Sequence, residues 1–396
     1  SLRSMLNLFP LSMNRRYTSL CAVALLALGT ISQLSAQEAR YYNPVIAAVP
    51  SLQITPDARA AGMGDLGVAT TPDPYAQHWN PSKFAFLGSS SGISLGYTPW
   101  LSRLVSDIAL MHLGGYYKFG ADKEQALGAS LRYFTMGKLT SWDASGRSLG
   151  ESHPNEFALD ASYSRKLSAD FSMSVALRYV HSDQGAREQG GSAGNAFAAD
   201  VAGYLHKYLT LGSAESLWTL GFNVRNIGTK ISFDSGATSA FLPTNLALGT
   251  GLLYPLDDHN LLSVNVEANK LLVPTPPVDR TDASKLEEYA KVSSIAGIFK
   301  SLGDAPGGFS EEMKEIRWSI GAEYSYNDKF FVRAGYSYLH PNKGNLQAFT
   351  AGAGFRLNAF RIDASYLMST IANNPLDQTL RFTLAFDMAG VRELFK

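Results

Sequence analysis

The sequence predicts an all-β protein, a transmembrane antiparallel β-barrel of about fourteen strands with an N-terminal plug segment. Three observations carry that expectation. From Ser91 onward the side chains alternate in character with period two. The connections between the alternating segments are short and long by turns. The first 36 residues read as an export leader. Composition agrees: charged residues make up 17% and aromatic residues 11%, with 35 Gly, 19 Tyr and 21 Phe. Few charges with abundant Gly, Tyr and Phe suit a wall facing lipid. They also suit a soluble sandwich, so the connections decide between the two. The formal net charge is zero, and no cluster of Lys and Arg points to nucleic acid.

The leader comes first. Residues 1–36 contain no acid. Met13-Asn14-Arg15-Arg16 opens a basic stretch, Leu20 to Leu28 is apolar, and Leu34-Ser35-Ala36 offers a cleavage site before Gln37. Residues ahead of Met13 read as an overhang. The apolar run is too short for a spanning helix. Cys21 lies inside it without a lipobox. Cleavage after Ala36 would remove Arg3, Arg15, Arg16 and the single cysteine, leaving a slightly acidic chain without disulfides. A closed ladder of strand hydrogen bonds can supply the missing stability. No later stretch is long and apolar enough for a membrane helix, so any span must be a strand.

Residues 37–90 form an N-terminal periplasmic or plug segment, 91–388 the barrel, and 389–396 a C-terminal tail. The expected strands are Ser91–Pro99, Ser106–Phe119, Gln125–Gly137, Glu156–Lys166, Asp170–Ser182, Ala196–Tyr208 and Ser216–Lys230. They continue with Pro243–Tyr254, Asn260–Leu271, Ile316–Asn327, Lys329–Leu339, Leu346–Leu357, Ala359–Met368 and Gln378–Met388. In the fifth, Phe171, Met173, Val175, Leu177 and Tyr179 share one face, while Ser172, Ser174, Ala176 and Arg178 share the other. Connections after even-numbered strands are short, such as Ser168-Ala169, Asp328 and Asn358. Several after odd-numbered strands are long and polar: Lys138 to Asn155, Asp183 to Asn195 and Leu272 to Glu315. Tight periplasmic turns and large outer loops are the habit of membrane barrels. Trp100, Tyr116, Tyr117, Trp142, Tyr254 and Trp318 are expected in interfacial girdles. Arg132, Arg178, Arg225, Glu267, Glu323, Arg333, Arg356, Arg361, Asp363 and Arg381 fall on the polar face. They point into the lumen, as a pairing network in a plugged barrel or as the lining of a solute path.

The longest outer loop, 272–315, carries its own pattern. Leu286, Tyr289, Val292, Ile295, Phe299 and Leu302 recur at three-to-four spacing, with Asp282 placed to cap and Gly303 to end a helix of about five turns. This helix is either a lid on its own barrel or a partner-binding element. Leu286, Tyr289, Val292, Ile298 and Phe299 supply its apolar surface.

Three short motifs suggest enzymes and fail on context. Gly62-Met63-Gly64-Asp65-Leu66-Gly67 matches a dinucleotide fingerprint, but no apolar strand precedes it and Pro72 and Pro74 break the helix that should follow. Gly190-Gly191-Ser192-Ala193-Gly194 matches a nucleophile elbow but sits in a flexible loop. His181-Ser182-Asp183 holds the residue types of a hydrolase triad, yet neighbours on a strand face opposite ways. No residue set points to catalysis, a metal or a cofactor.

The segment Ala58-Arg59-Ala60-Ala61-Gly62-Met63-Gly64-Asp65-Leu66-Gly67-Val68-Ala69, followed by Trp79-Asn80-Pro81-Ser82-Lys83-Phe84, resembles the plug shared by FadL-type outer-membrane barrels. Its wording is most similar to the PorV/PorQ branch, with Gly62, Gly64, Gly67, Asn80 and Pro81 as the marks of the plug. The motif covers about thirty residues, and the strand pattern extends the likeness along the rest of the chain. The resemblance implies an outer-membrane component of the type IX secretion system. Such a barrel binds the C-terminal domains of secreted cargo at the translocon and carries them to a surface attachment complex. The implied partners are cargo, the large translocon barrel, PorU, PorZ, PorQ, the bilayer and lipopolysaccharide. Two other readings stand beside it. One is a FadL-like transporter of long-chain lipids, for which Gly249 to Gly251 and Gly352 to Gly354 would open gaps in the wall. The other is a factor in lipid A deacylation.

Overall fold

The computed structural model describes residues 42–394, apart from 102–106, 143–144, 186–190, 235, 237, 372–373 and 375. The expected leader at 1–36 lies outside the described residues. The strands are β1 (Ser91–Pro99), β2 (Ile108–Phe119), β3 (Gln125–Met136), β4 (Leu139–Trp142), β5 (Ser148–Ser152), β6 (Asn155–Lys166), β7 (Phe171–Asp183) and β8 (Gly194–Leu211). Then follow β9 (Ala214–Gly228), β10 (Asn245–Pro255), β11 (Asn260–Leu271), β12 (Arg317–Tyr326), β13 (Phe330–Leu339), β14 (Leu346–Leu357), β15 (Phe360–Ser369) and β16 (Leu380–Asp387). All but β4 and β5 form one closed barrel in which each strand pairs with its neighbour in the chain and β1 closes on β16. Every pairing is antiparallel. Closure removes the free edges that an open sheet of this size would expose. The fourteen-strand expectation therefore holds, with ends that differ by a few residues.

The alternation does what the pattern predicts. In β7, Ser172, Ser174, Ala176, Arg178, Val180 and Ser182 are buried toward the lumen, while Val175 and Leu177 are exposed on the outer wall. The same split places Ile320 and Tyr324 outside and Ser319 and Glu323 inside on β12. An outward apolar band and an inward polar face suit lipid on one side and satisfied polar groups on the other. No helix among the described residues is long and apolar enough to cross a membrane.

The turns obey local chemistry. Asn327 and Asp328 both adopt positive φ, 52° and 54°, between β12 and β13, the backbone that a tight hairpin needs and that Asn and Asp tolerate. The expected loop from Lys138 to Asn155 is more ordered than a polar loop, since β4 and β5 pair within it as a hairpin. The C-terminal tail begins as a short helix, Met388–Leu394.

Two expectations about the wall are corrected. Tyr116 does not join an interfacial girdle. It is buried and stacks on Phe84 with ring centroids 5.0 Å apart. Tyr116 and Tyr117 are consecutive on β2, so only one of them can face out. Arg356 does not point into a filled lumen. It lies at the end of β14, half exposed, and pairs with Asp328 of the neighbouring turn at 3.1 Å. Its side of the strand is right, but the strand ends there.

Candidate functional site

Two regions bear on function: the segment inside the barrel and the long loop 272–315, named the outer loop for the side on which it is expected. The inner segment, residues 42–90, has little regular structure. Helices α1 (Ala58–Ala61) and α2 (Ala76–Trp79) and a two-turn 3-10 stretch (Pro81–Phe86) are joined by coil. Nearly every residue from Leu52 to Ala85 is buried. Such short turns leave most of their backbone groups unpaired, and a closed lumen supplies little water, so the wall must pair them. It does. Glu267 accepts from the backbone N–H of Gly67 and Val68 at 2.8 and 2.9 Å. Thr350 accepts from Gly64 N–H at 2.8 Å and Thr383 from Ala58 N–H at 2.7 Å. Asn223 donates to the Trp79 carbonyl at 2.7 Å.

A charged network ties the plug to the wall. Arg59 donates to both oxygens of Glu323, at 2.7 and 3.1 Å, and to Asp73 at 2.7 Å. Lys83, fully buried, pairs with Asp73 at 2.8 Å. Glu323 also receives Arg333 at 2.6 Å, across the register pair of β12 and β13. Arg333 reaches Asp363 at 2.8 Å, and Asp363 accepts from Arg361 at 2.8 Å and from the Tyr75 hydroxyl at 2.7 Å. Removing one partner from such a chain strands a buried charge. The pairing network was legible for Glu323, Arg333, Arg361 and Asp363. Arg59, Asp73 and Lys83 were not, because no periodicity in residues 42–90 says which way a side chain points.

The plug residues all take structural parts. Gly62 packs against the backbone of Gly352, where a Cβ would lie 3.0 Å from Cα. Gly64 has φ of +82° and presses on the Tyr336 backbone. A Cβ on Gly67 would sit 2.4 Å from the Trp79 ring. Asn80 donates to the carbonyls of Val68 and Gly203, both at 2.9 Å, and accepts from Ser82 N–H. Pro81 opens the 3-10 turn, where its missing N–H costs nothing. The match to a dinucleotide fingerprint thus reflects close packing. The wall glycines are equally filled. A Cβ on Gly249 would meet Val68 Cγ1 at 2.7 Å, and one on Gly352 would meet Gly62 Cα at 3.1 Å. The gaps expected at Gly249 to Gly251 and Gly352 to Gly354 are where the plug presses on the barrel.

The outer loop departs from one long helix. It holds α3 (Ala283–Lys291), α4 (Ser294–Lys300) and α5 (Phe309–Lys314). Asp282 caps α3 as expected, accepting from the N–H of Ser284 and Lys285. The helix then breaks at Val292, whose ψ is 125°. Val is a weak helix former, and Ser293 prefers to cap a new helix, which it does by accepting from Ala296 N–H.

The break sorts the predicted site residues. Tyr289 packs edge-on against Phe241 at 5.7 Å and donates to the Pro274 carbonyl at 3.2 Å. Burial pushes its phenol up to about 12. Val292 and Ile298 are half-buried, whereas Leu286 is exposed and Phe299 is 71% exposed. Ile295 and Leu302 join Phe299 on the open side, and Phe309 on α5 is 81% exposed. Phe309 escaped the sequence pattern because Gly303, Gly307 and Gly308 interrupt the spacing.

Ion pairs fasten this loop to the rim. Lys270 at the end of β11 pairs with Glu312 and Glu315 at 2.7 and 2.6 Å. Lys343 pairs with Glu311 and Glu315 at 2.5 and 2.9 Å. Burial alone would lower the Lys343 ammonium, but its two carboxylate partners outweigh that and hold it above its ordinary range.

The enzyme-like motifs do not assemble. His181 bonds Asn195 at 2.8 Å on the exposed side, while Ser182 is buried and donates to Glu156 at 3.1 Å. Gly190 lies outside the described residues. Ser192 donates its backbone N–H to Phe233 O, and a strand follows at Gly194, so no nucleophile elbow forms. Among the described residues no group of three or more His, Cys, Asp or Glu could hold a metal ion.

Residues 35–278 match the family model described as "Type IX secretion system protein PorV". No curated protein shows significant sequence similarity to the chain. Solved structures similar in fold include the toluene transporter TodX of Pseudomonas putida, at 12% identity and TM-score 0.46, covering 83% of this chain and 97% of that one. The toluene transporter TbuX of Ralstonia pickettii is similar at 14% identity and TM-score 0.45, covering 83% and 97%. A FadL homologue of Pseudomonas aeruginosa is similar at 11% identity and TM-score 0.44, covering 87% and 99%.

Proposed function

Since the chain belongs to the PorV family of type IX secretion system proteins, and so is a component of that system in the outer membrane, we propose that it captures the C-terminal domains of secreted cargo on its outer loop. From there it carries them from the translocon barrel to the attachment complex that holds PorU and PorZ, with PorQ as a further partner. The observation that carries the reading is the open apolar side of the outer loop. Phe299 and Phe309 stand free of the barrel, with Ile295 and Leu302 beside them. Exposed apolar groups clustered in this way mark interfaces, and aromatic anchors tend to dominate binding energy. The same loop is fixed to its own rim through the Tyr289 contact with Phe241 and the ion pairs of Lys270 and Lys343, so the capture surface is held in place and costs little entropy on binding.

Transport of long-chain lipid needs a path through the lumen, and the plug occupies that path from Ile54 to Phe84. We therefore place carriage on the outer surface and read the protein as a non-enzymatic scaffold. The test is a pull-down of a cargo C-terminal domain with the double variant F299S/F309S. Capture should fall sharply while heat-modifiable folding of the barrel is kept. Full capture by the folded double variant would remove this loop as the binding surface.

A further inference from the structure

Most of the buried cations among the described residues are matched to carboxylates. Arg59, Arg178, Arg333, Arg361, Lys83 and Lys343 each have at least one. Buried Arg132 and Lys118 bond only carbonyls and His78, and the buried Arg225 and the half-buried Arg317 also lack a carboxylate, among the described residues. Arg225 and Arg317 line one cavity of about 100 Å³, walled by Val45, Leu52 and Gln53 of the inner segment and by strand ends such as Leu271 and Leu339. Arg225 is near the end of β9 and Arg317 opens β12.

Neither guanidinium is satisfied by the protein. Arg225 is only 8% exposed, and its Nε has no hydrogen-bond partner. One of its other nitrogens faces His78 Nε2 at 2.9 Å and the His78 carbonyl at 3.3 Å. Arg132 faces the other ring nitrogen of His78 at 2.8 Å. A neutral imidazole accepts at one nitrogen only, so His78 cannot satisfy both arginines. Arg132 has the Ser51 and Ile54 carbonyls besides, which leaves Arg225 short. Arg317 has a single long contact, 3.4 Å, to the Asp65 carbonyl. Glu315 also lines the cavity, but Lys270, Lys343 and Thr275 already hold its carboxylate.

We propose that this cavity is a binding site for an oxyanion, a carboxylate or a phosphate group, held between Arg225 and Arg317. A guanidinium offers N–H groups in a planar fork that matches two oxygens of such a group. A buried guanidinium without counter-charge is costly, and an entering anion supplies the charge that the wall lacks. Either a peptide end or a free anion presents such a group, and the probes below tell the two apart. The proposal is independent of the cargo-binding role of the outer helices.

The test is calorimetric titration of the purified, folded barrel in neutral detergent at constant ionic strength. Three probes are used: sodium phosphate, N-acetyl-trialanine with a free carboxylate, and the same peptide as its C-terminal amide. The wild type should show one saturable site for phosphate or for the free-acid peptide and none for the amide. Which of the two binds identifies the source of the oxyanion. R317Q, at the more exposed of the two arginines, should weaken binding by at least roughly tenfold and keep the heat-modifiable fold. R225Q should do the same, while R356Q at the periplasmic rim should bind as the wild type. Absence of a saturable site in the wild type, or undiminished binding by folded R317Q, would overturn the proposal.

Discussion

The Arg59 guanidinium in the plug grips both carboxylate oxygens of Glu323 in the wall, at 2.7 and 3.1 Å. Both groups are almost fully buried, and Arg333 and Asp73 extend the chain on either side. Glu323→Gln removes the charge and keeps the shape. It leaves Arg59 with Asp73 and Arg333 with Asp363 as their remaining carboxylates, so the barrel should lose roughly 3 kcal/mol, the low end of the cost of breaking a buried pair. Thermal unfolding followed on heat-modifiability gels measures this, and an unshifted transition would show that the plug is tied elsewhere.

Gly64 and Gly146 both adopt positive φ, 82° and 80°, but only Gly64 touches anything. Gly64→Ala meets the Tyr336 backbone at 2.9 Å as well as the strained dihedral. Its cost should be about 1–3 kcal/mol above that of Gly146→Ala, which bears the dihedral strain alone. Equal losses in the two variants would mean that the plug yields at this contact.

The filled lumen predicts little saturable uptake of long-chain fatty acid by liposomes that carry the purified protein. Robust uptake that a lumen-blocking reagent abolishes would require a path past residues 54–84, and with it the transporter reading.

Orientation can be read with single cysteines. Gly303→Cys lies in the outer loop, with open space around its Cβ position. Asp257→Cys lies in the short turn between β10 and β11. A membrane-impermeant maleimide should label the first in whole cells and spare the second. Labelling at position 257 would invert the assignment of every loop.

Ser182 is buried against Glu156, and His181 faces the other way. Ser182→Ala should cost about 1 kcal/mol, the worth of one hydrogen bond, and His181→Ala less. Neither should change lipid A acylation, as read by mass spectrometry. Selective loss of deacylation with normal protein levels would restore the enzyme reading.

The strands were readable because each side chain on a strand has only two directions to point. Polar and apolar faces then declare themselves within five residues, as they do along Phe171 to Tyr179. The same rule placed Glu323, Arg333, Arg361 and Asp363 in the lumen. It erred at Arg356, since a face persists past the point where the strand leaves the barrel. It also offered Tyr116 and Tyr117 together, although consecutive residues cannot share a side.

Residues 42–90 obey no period, so their own sequence shows what packs closely but not against what. The glycines at 62, 64 and 67 marked a tight segment. Gly67 meets Trp79 within the segment, but the partners of Gly62 and Gly64, Gly352 and Tyr336, lie about 270 to 290 positions away and are chosen by barrel closure. The outer loop shows the same division. Its apolar spacing was legible from Leu286 to Leu302. Which of those side chains turn inward was settled by the break at Val292 and by Phe241 and Pro274, against which Tyr289 and Gly297 pack. Local alternation, the turns and the helix caps were thus determined by the sequence alone, because each depends on neighbours within a few residues. The matching of plug to wall, the free faces of Phe299 and Phe309, and the unmatched Arg225 and Arg317 were decided by the tertiary structure. Burial and counter-charge depend on which distant groups meet when the barrel closes.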